Sequence, residues 1–571
     1  MKKVMSALVV FAFVLAAGAA SAGEVHEVYS KNGMVSSAHK LASQAGVEIL
    51  KKGGNAIDAA MATMLALNVV EPNASGIGGG GFSTIRFAKT GEVVELDYRE
   101  VAPLSATRDM YASEASKKAK ESVLGGKAVG VPGIVKGIFT ALEKYGTMTF
   151  AEVAAPAIRL AEEGFEVHPM QNQIITDEFA KLSKYSPGCA FLPDGLPAET
   201  GTILRQPALG FAFRLLGEKG PSVFYEGEIG EAVVAAVRAA GGKMSMEDLK
   251  NYKVLIQKPV HGTYRGYSIY STPPASSGGT HIVQLLNIME NFDVAAMKHN
   301  SPDYLHHLAE AMKLVFADRQ KYMADTAFVN VPLGGLSSKE YAKELAGKIR
   351  RYDVMKEVTA GDPWPHNESK KQAYLGGGGN QHISTSSFSV VDAEGNIVAS
   401  TNTVNFFFGS GVVVPEFGFV LNNEMDDFAQ NPESVNAPEP GKRPLSSMSP
   451  TIVLDPQGNP FMTIGAAGAM RIISAVSQIV MNVVDFGMSM DEAIEQPRIF
   501  NPAGGGKAGK LLIEEGISQS TVSYLKLRGH DLDVQPFGGY FGTAQGILFD
   551  HVKGRMNGGA DSRRLGVPVG Y

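Results

Sequence analysis

The tightest constraint on this chain lies between Gly376 and Asp427, and within that stretch on Thr385. Four consecutive glycines, Gly376 to Gly379, resist regular structure. Asn380-Gln381-His382-Ile383-Ser384 then leads into Thr385-Ser386-Ser387, and a β-hairpin pattern follows. Phe388–Val391 reads as one strand, Asp392-Ala393-Glu394-Gly395-Asn396 as the turn, and Ile397–Thr403 as the return strand. If the turn closes with Val391 opposite Ile397, Thr385 faces Thr403. A slip of one residue would undo that pairing.

A threonine hydroxyl is a poor nucleophile until a base takes its proton. An N-terminal threonine carries its own base, an α-amine with a pKa of about 7.7–8.0. Cleavage between Ser384 and Thr385 would create it, and the same hydroxyl could drive that cleavage by attacking the preceding carbonyl in an N→O acyl shift. Taken alone, the segment reads more simply as a glycine-rich loop before an ordinary surface hairpin.

Composition sets outer limits. The chain has 571 residues, with 44% hydrophobic and 19% charged content, which suits a globular protein. A net charge of −6 gives no reason to expect a nucleic-acid partner. The single cysteine, Cys189, excludes an internal disulfide and a cysteine-based metal cluster, and is expected to be a buried, inert thiol. Lys2-Lys3, an apolar run from Leu8 to Ala20, and Ala20-Ser21-Ala22 before Gly23 read as a secretory signal over residues 1–22. That run is well short of the roughly 20 residues a membrane span needs. The expectation is export, most simply to the periplasm, with no stable membrane anchor.

Along the chain, Lys40–Lys52 is expected to be a helix stopped by Gly53-Gly54, and Asn55 to cap a buried helix over Ala56–Val70. Gly76-Ile77-Gly78-Gly79-Gly80-Gly81 formally matches a dinucleotide-binding pattern, but a helix precedes it and a strand follows, the reverse of what that motif requires. These glycines instead suit a close passage of backbone against backbone or substrate. Ser301-Pro302 starts a helix in which His306 and His307, pointing apart, read as structural rather than metal-binding. No serine sits in a Gly-x-Ser-x-Gly frame and no His-Glu-x-x-His occurs, so two common hydrolase chemistries lose their signatures. Gly465-Ala466-Ala467-Gly468-Ala469 ahead of a helix over Met470–Phe486 offers open backbone amides, a natural oxyanion hole.

Four longer runs reinforce the nucleophile reading: Thr401-Asn402-Thr403-Val404-Asn405, Phe408-Gly409-Ser410-Gly411, Leu421 through Phe428, and Lys442 through Pro450. Together with the segment around Thr385, they resemble the γ-glutamyltranspeptidases, self-processing N-terminal nucleophile hydrolases. The resemblance extends along nearly the whole mature chain. It implies a four-layer αββα sandwich, an α/β (α+β) fold with two central antiparallel sheets. A large chain, Gly23–Ser384, and a small chain, Thr385–Tyr571, would together form one intertwined unit.

By the same resemblance, Thr385 is the nucleophile, Thr403 orients it, and Gly468 and Ala469 hold the oxyanion. Arg99, Ser446 and Ser447 would hold the α-carboxylate of a γ-glutamyl group, and Asn405, Glu424 and Asp427 its α-ammonium. A cation and hydroxyls at one end and carboxylates at the other would match a zwitterion. The implied substrates are glutathione and related γ-glutamyl compounds, with water, an amino acid or a peptide as acceptor and no metal or organic cofactor. Three departures stand out. Ala469 replaces a usual glycine, tolerable unless the turn needs a positive φ there. Ser387 replaces a frequent histidine. Phe428–Leu445 is shorter than in members with a lid, which implies an open pocket. The rival readings are a glutaryl-cephalosporin acylase, which would have no use for ammonium partners, and an unprocessed periplasmic binding protein.

Overall fold

The computed structural model describes residues 27–368 and 384–571. The signal segment and the glycines at 376–379 lie outside the described residues. Two seven-stranded sheets form the centre. One runs Val567–Gly570, Met34–Ser37, Ser386–Val391, Ile397–Thr403, Gly80–Arg86, Val93–Asp97, Leu255–Gln257. The other runs Val28–Ser30, Arg555–Ala560, Thr543–Asp550, Pro460–Ala467, Thr451–Leu454, Tyr267–Ser271, Val260–Tyr264. Every pairing within both is antiparallel. Each sheet therefore takes strands from both sides of the Ser384–Thr385 bond.

Helices cover the outer faces. Lys40–Lys51 and Ala56–Val70 pack on the first sheet, and Gly278–Met289 and Arg471–Val484 on the second. The inner helix of the first pair is buried along its whole length, as its all-round apolar sequence requires. Asn55 caps it, its side chain accepting from the Ile57 and Asp58 amides. The two large apolar cores sit between helices and sheet on either side. A smaller one, including Met34, Val391, Ile452 and Ile547, joins the sheets face to face. Layer order and strand direction are those of the expected αββα sandwich. Among the described residues, no helix is long and apolar enough to cross a membrane.

Candidate active site

The hairpin closes in the expected register, from Val391 opposite Ile397 to Ser386 opposite Asn402. One step further brings Thr385 Oγ1 within 3.0 Å of Thr403 Oγ1. The Asn405 amide donates to Thr403 Oγ1 at 2.8 Å, so this second hydroxyl is held in place. Thr403 is seated from behind by Gly79: a Cβ there would lie 2.0 Å from the Thr403 carbonyl oxygen. A Cβ on Gly78 would lie as close to the Val420 carbonyl oxygen, at 2.2 Å. The glycine run thus serves close backbone passage, as its sequence context implied.

Thr385 is buried, and its φ is +95°, a region that a β-branched residue rarely occupies. Its carbonyl accepts from Arg564 Nη1 at 2.6 Å, a contact without a signal in the sequence. Ser384 is buried beside it. Thr385, Thr403, Asn405, Arg99, Glu424, Asp427, Ser446, Ser447 and Ala469 all line one pocket, together with Arg319, Leu445, Met448, Met470 and Ile472. Ser387 faces the second sheet, where its Oγ fills the notch over Gly465.

The pocket's charges are not divided between its ends as expected. Arg99 donates directly to Glu424, and to Asp427 Oδ2 at 2.5 Å, while its Nε donates to the Pro444 carbonyl at 3.2 Å. Glu100 stands behind, 3.8 Å from Arg99 Nη1. A buried guanidinium without a carboxylate would cost more than this pairing does. Burial works against the Arg99 charge, but Glu424, Asp427 and Glu100 outweigh it and keep the guanidinium above its ordinary pKa. Burial pushes Glu100 up to about 7 against the pull of Arg99. Burial, opposed by Arg99 and reinforced by Glu100 and Asp427, holds Glu424 well above the usual carboxylate range. Glu100 and Glu424, crowded by burial and by each other, therefore favour holding a proton between them. Among the described residues, Glu424 Oε2 and both Glu100 oxygens take no N–H or hydroxyl donor; the two side chains instead form a buried, hydrogen-bonded acid pair.

Gly468 and Ala469 precede the helix, which begins at Arg471 rather than Met470. The Gly468 carbonyl accepts from Arg471 N at 3.2 Å. In a trans peptide the N–H opposes the C=O, so the Ala469 amide points away from the helix. Ala469 has φ +54°, so the turn does require the left-handed region at this residue, and the methyl is a strained choice. Gly468, at φ +134°, lies within 2.8 Å of Gly542 Cα by its missing Cβ and does not itself line the pocket.

Residues 428–445 pack away from Thr385. Phe428 joins Ala102, Ala106 and Tyr111, the Pro432 and Ser434 carbonyls accept from Arg108, and only Leu445 of this segment reaches the pocket wall. Cys189 is half-buried rather than fully so, and burial raises its thiol pKa. Glu310 stands one turn beyond His306, so the carboxylate that a metal pair would need is present. His530 joins them, its Nε2 2.9 Å from His306 Nδ1, so the three could face one ion; the other contacts are structural, with His306 Nε2 2.7 Å from the Arg350 carbonyl oxygen and Glu310 taking Lys313 and the Met355 amide.

Two antiparallel sheets between helical layers, with a threonine hydroxyl at the head of an inner strand, define an N-terminal nucleophile hydrolase fold. The gamma-glutamyltranspeptidase family model matches residues 42–571, and the chain belongs to that family. The glutathione hydrolase proenzyme of Bacillus subtilis (strain 168) is 40% identical over 544 residues, 95% of this chain and 92% of the relative. Acylase ACY 1 proenzyme of Pseudomonas sp. (strain V22) is 39% identical over 546 residues, 94% and 93% of the two chains. Among solved structures, the cephalosporin acylase of Bacillus halodurans superposes with a TM-score of 0.85 at 30% identity, covering 96% of this chain and 97% of its own.

Proposed function

We propose that the chain is an exported γ-glutamyltransferase and glutathione hydrolase that cleaves itself before Thr385. The observation that carries this reading is the Thr385–Thr403 hydroxyl pair in a pocket walled by Arg99, Glu424, Asp427, Ser446 and Ser447. In the precursor, Thr385 Oγ1 attacks the Ser384 carbonyl carbon, the amide becomes an ester, and water releases the large chain, Gly23–Ser384, from the small chain, Thr385–Tyr571. The freed α-amine is then the base. It takes the Thr385 hydroxyl proton as Oγ1 attacks the γ-carbonyl of a γ-glutamyl amide.

The tetrahedral oxyanion is held by the amide of Ala469, which is in the pocket wall, with the Gly468 amide, one residue back, as the second donor the family resemblance implies. Collapse breaks the C–N bond and the ammonium returns the proton to the leaving amine. Water, an amino acid or a peptide then takes the γ-glutamyl group from the threonine ester. Ser446, Ser447 and the remaining Arg99 N–H groups hold the α-carboxylate, and Glu424, Asp427 and Asn405 hold the α-ammonium. The apolar run before Gly23 supports export to the periplasm.

The similarity to acylases makes the donor the point to test. With purified, processed protein, γ-glutamyl-p-nitroanilide should be cleaved with kcat/KM at least roughly tenfold above glutaryl-p-nitroanilide, because the ammonium contacts are charge-assisted hydrogen bonds. Preference for the glutaryl donor would favour the acylase reading instead.

A further inference from the structure

Arg319 enters the pocket from the Pro302–Tyr322 helix and is almost wholly buried. Among the described residues no carboxylate lies within ion-pair distance of it; its donors go to Ser277 Oγ at 2.8 Å, Ser447 Oγ at 2.9 Å and Met470 Sδ at 3.4 Å. Burial pulls its pKa down to about 10, opposed by Asp427, which leaves it charged at neutral pH. A buried cation that donates to neutral hydroxyls is costly unless something anionic completes it.

The hydroxyls it touches make that completion specific. Ser447 Oγ accepts from Arg319, so its own proton is free to be donated, and among the described residues it has no protein acceptor. Ser446 Oγ likewise accepts, from the Met448 amide at 3.1 Å. Ser277 Oγ donates to the Ser446 carbonyl at 2.7 Å, and the Ser277 amide donates to the same carbonyl at 2.9 Å. Arg319 therefore grips the Ser446–Ser447 loop at two points, directly and through Ser277. Arg99, by contrast, spends its charge on Glu424 and Asp427.

We propose that Arg319 is a positioning residue for the donor's carboxylate. It aims the Ser446 and Ser447 hydroxyl protons at that group and supplies the positive charge that the acid-bound Arg99 does not. This inference rests on the γ-glutamyl reading above and adds a residue that determines specificity for it.

The test compares two p-nitroanilide donors, L-γ-glutamyl and 4-aminobutanoyl, the second keeping the amine and the scissile bond but lacking the α-carboxylate. Release of p-nitroaniline is followed at high enzyme concentration for processed wild type, Arg319→Met, Arg319→Lys and Ser277→Ala. Arg319→Met should raise KM for the γ-glutamyl donor at least about tenfold, with a smaller change in kcat, and leave the aminobutanoyl donor within about twofold. The ratio of the two kcat/KM values should thus collapse, and Arg319→Lys should restore part of it. If Arg319→Met fails to process, Arg319→Lys and Ser277→Ala decide: each should lower the ratio about threefold or more. A ratio unmoved in every processed variant, or an equal loss on both donors, would overturn the proposal. A wild type inert toward the γ-glutamyl donor would instead defeat the underlying reading, and this inference with it.

Discussion

At the end of the pocket, Arg99 is paired with Glu424 and Asp427 and backed by Glu100, and the raised pKa of Glu100 and Glu424 links donor binding to pH. An α-ammonium binds best to ionised carboxylates, whereas burial pushes Glu100 up to about 7 and holds Glu424 well above the usual carboxylate range. Below those values the acids are neutral and bind a cation poorly. KM for a γ-glutamyl donor should therefore fall, by roughly tenfold, as pH rises from about 5.5 to about 8. A glutaryl donor, which has no ammonium, should show no such fall, and steady-state kinetics across that range checks both. Ala469 carries a second consequence at this scale. An L-residue in the left-handed region costs about 1–2 kcal/mol, partly offset by the greater unfolded freedom of glycine. In the uncut Thr385→Ala background, Ala469→Gly should raise stability by up to about 1 kcal/mol in urea unfolding.

Among the elements, the Ser386–Val391 and Ile397–Thr403 hairpin does the aiming, and the glycine strand beside it sets the depth at which Thr403 sits. Gly79→Ala would drive a Cβ to 2.0 Å from the Thr403 carbonyl oxygen. It should cost at least about 1–3 kcal/mol and displace Thr403, lowering activity. Gly188→Ala, with no described atom within 4 Å of the added methyl, should be near neutral; thermal melts and activity assays on both variants check this. The hairpin was legible in the sequence because its information is local: a turn rich in Asp, Gly and Asn between β-branched runs. Arg99's direct pairing with Glu424, across 325 residues, was not, since only the folded sheets bring the two together. Arg319 was hidden for a similar reason. A lone arginine on a long helix carries no sign of whether it meets solvent or a pocket. The positive φ at Ala469 was posed by the sequence as a condition, and backbone geometry supplied the answer.

At the scale of the whole molecule, both sheets are woven from residues on either side of Ser384–Thr385. The αββα layering followed from the family resemblance, because strand order across so many crossovers leaves no local trace. Such weaving means that a cut there should leave one particle, with neither chain separating under native conditions. The most direct test of the account is the intact mass of the purified protein, wild type beside Thr385→Ala, taken on material that elutes as a single species from gel filtration. The account predicts two wild-type chains divided immediately before Thr385, travelling together, and one uncut chain in the mutant. An uncut wild type, or a cut at another bond, would contradict it.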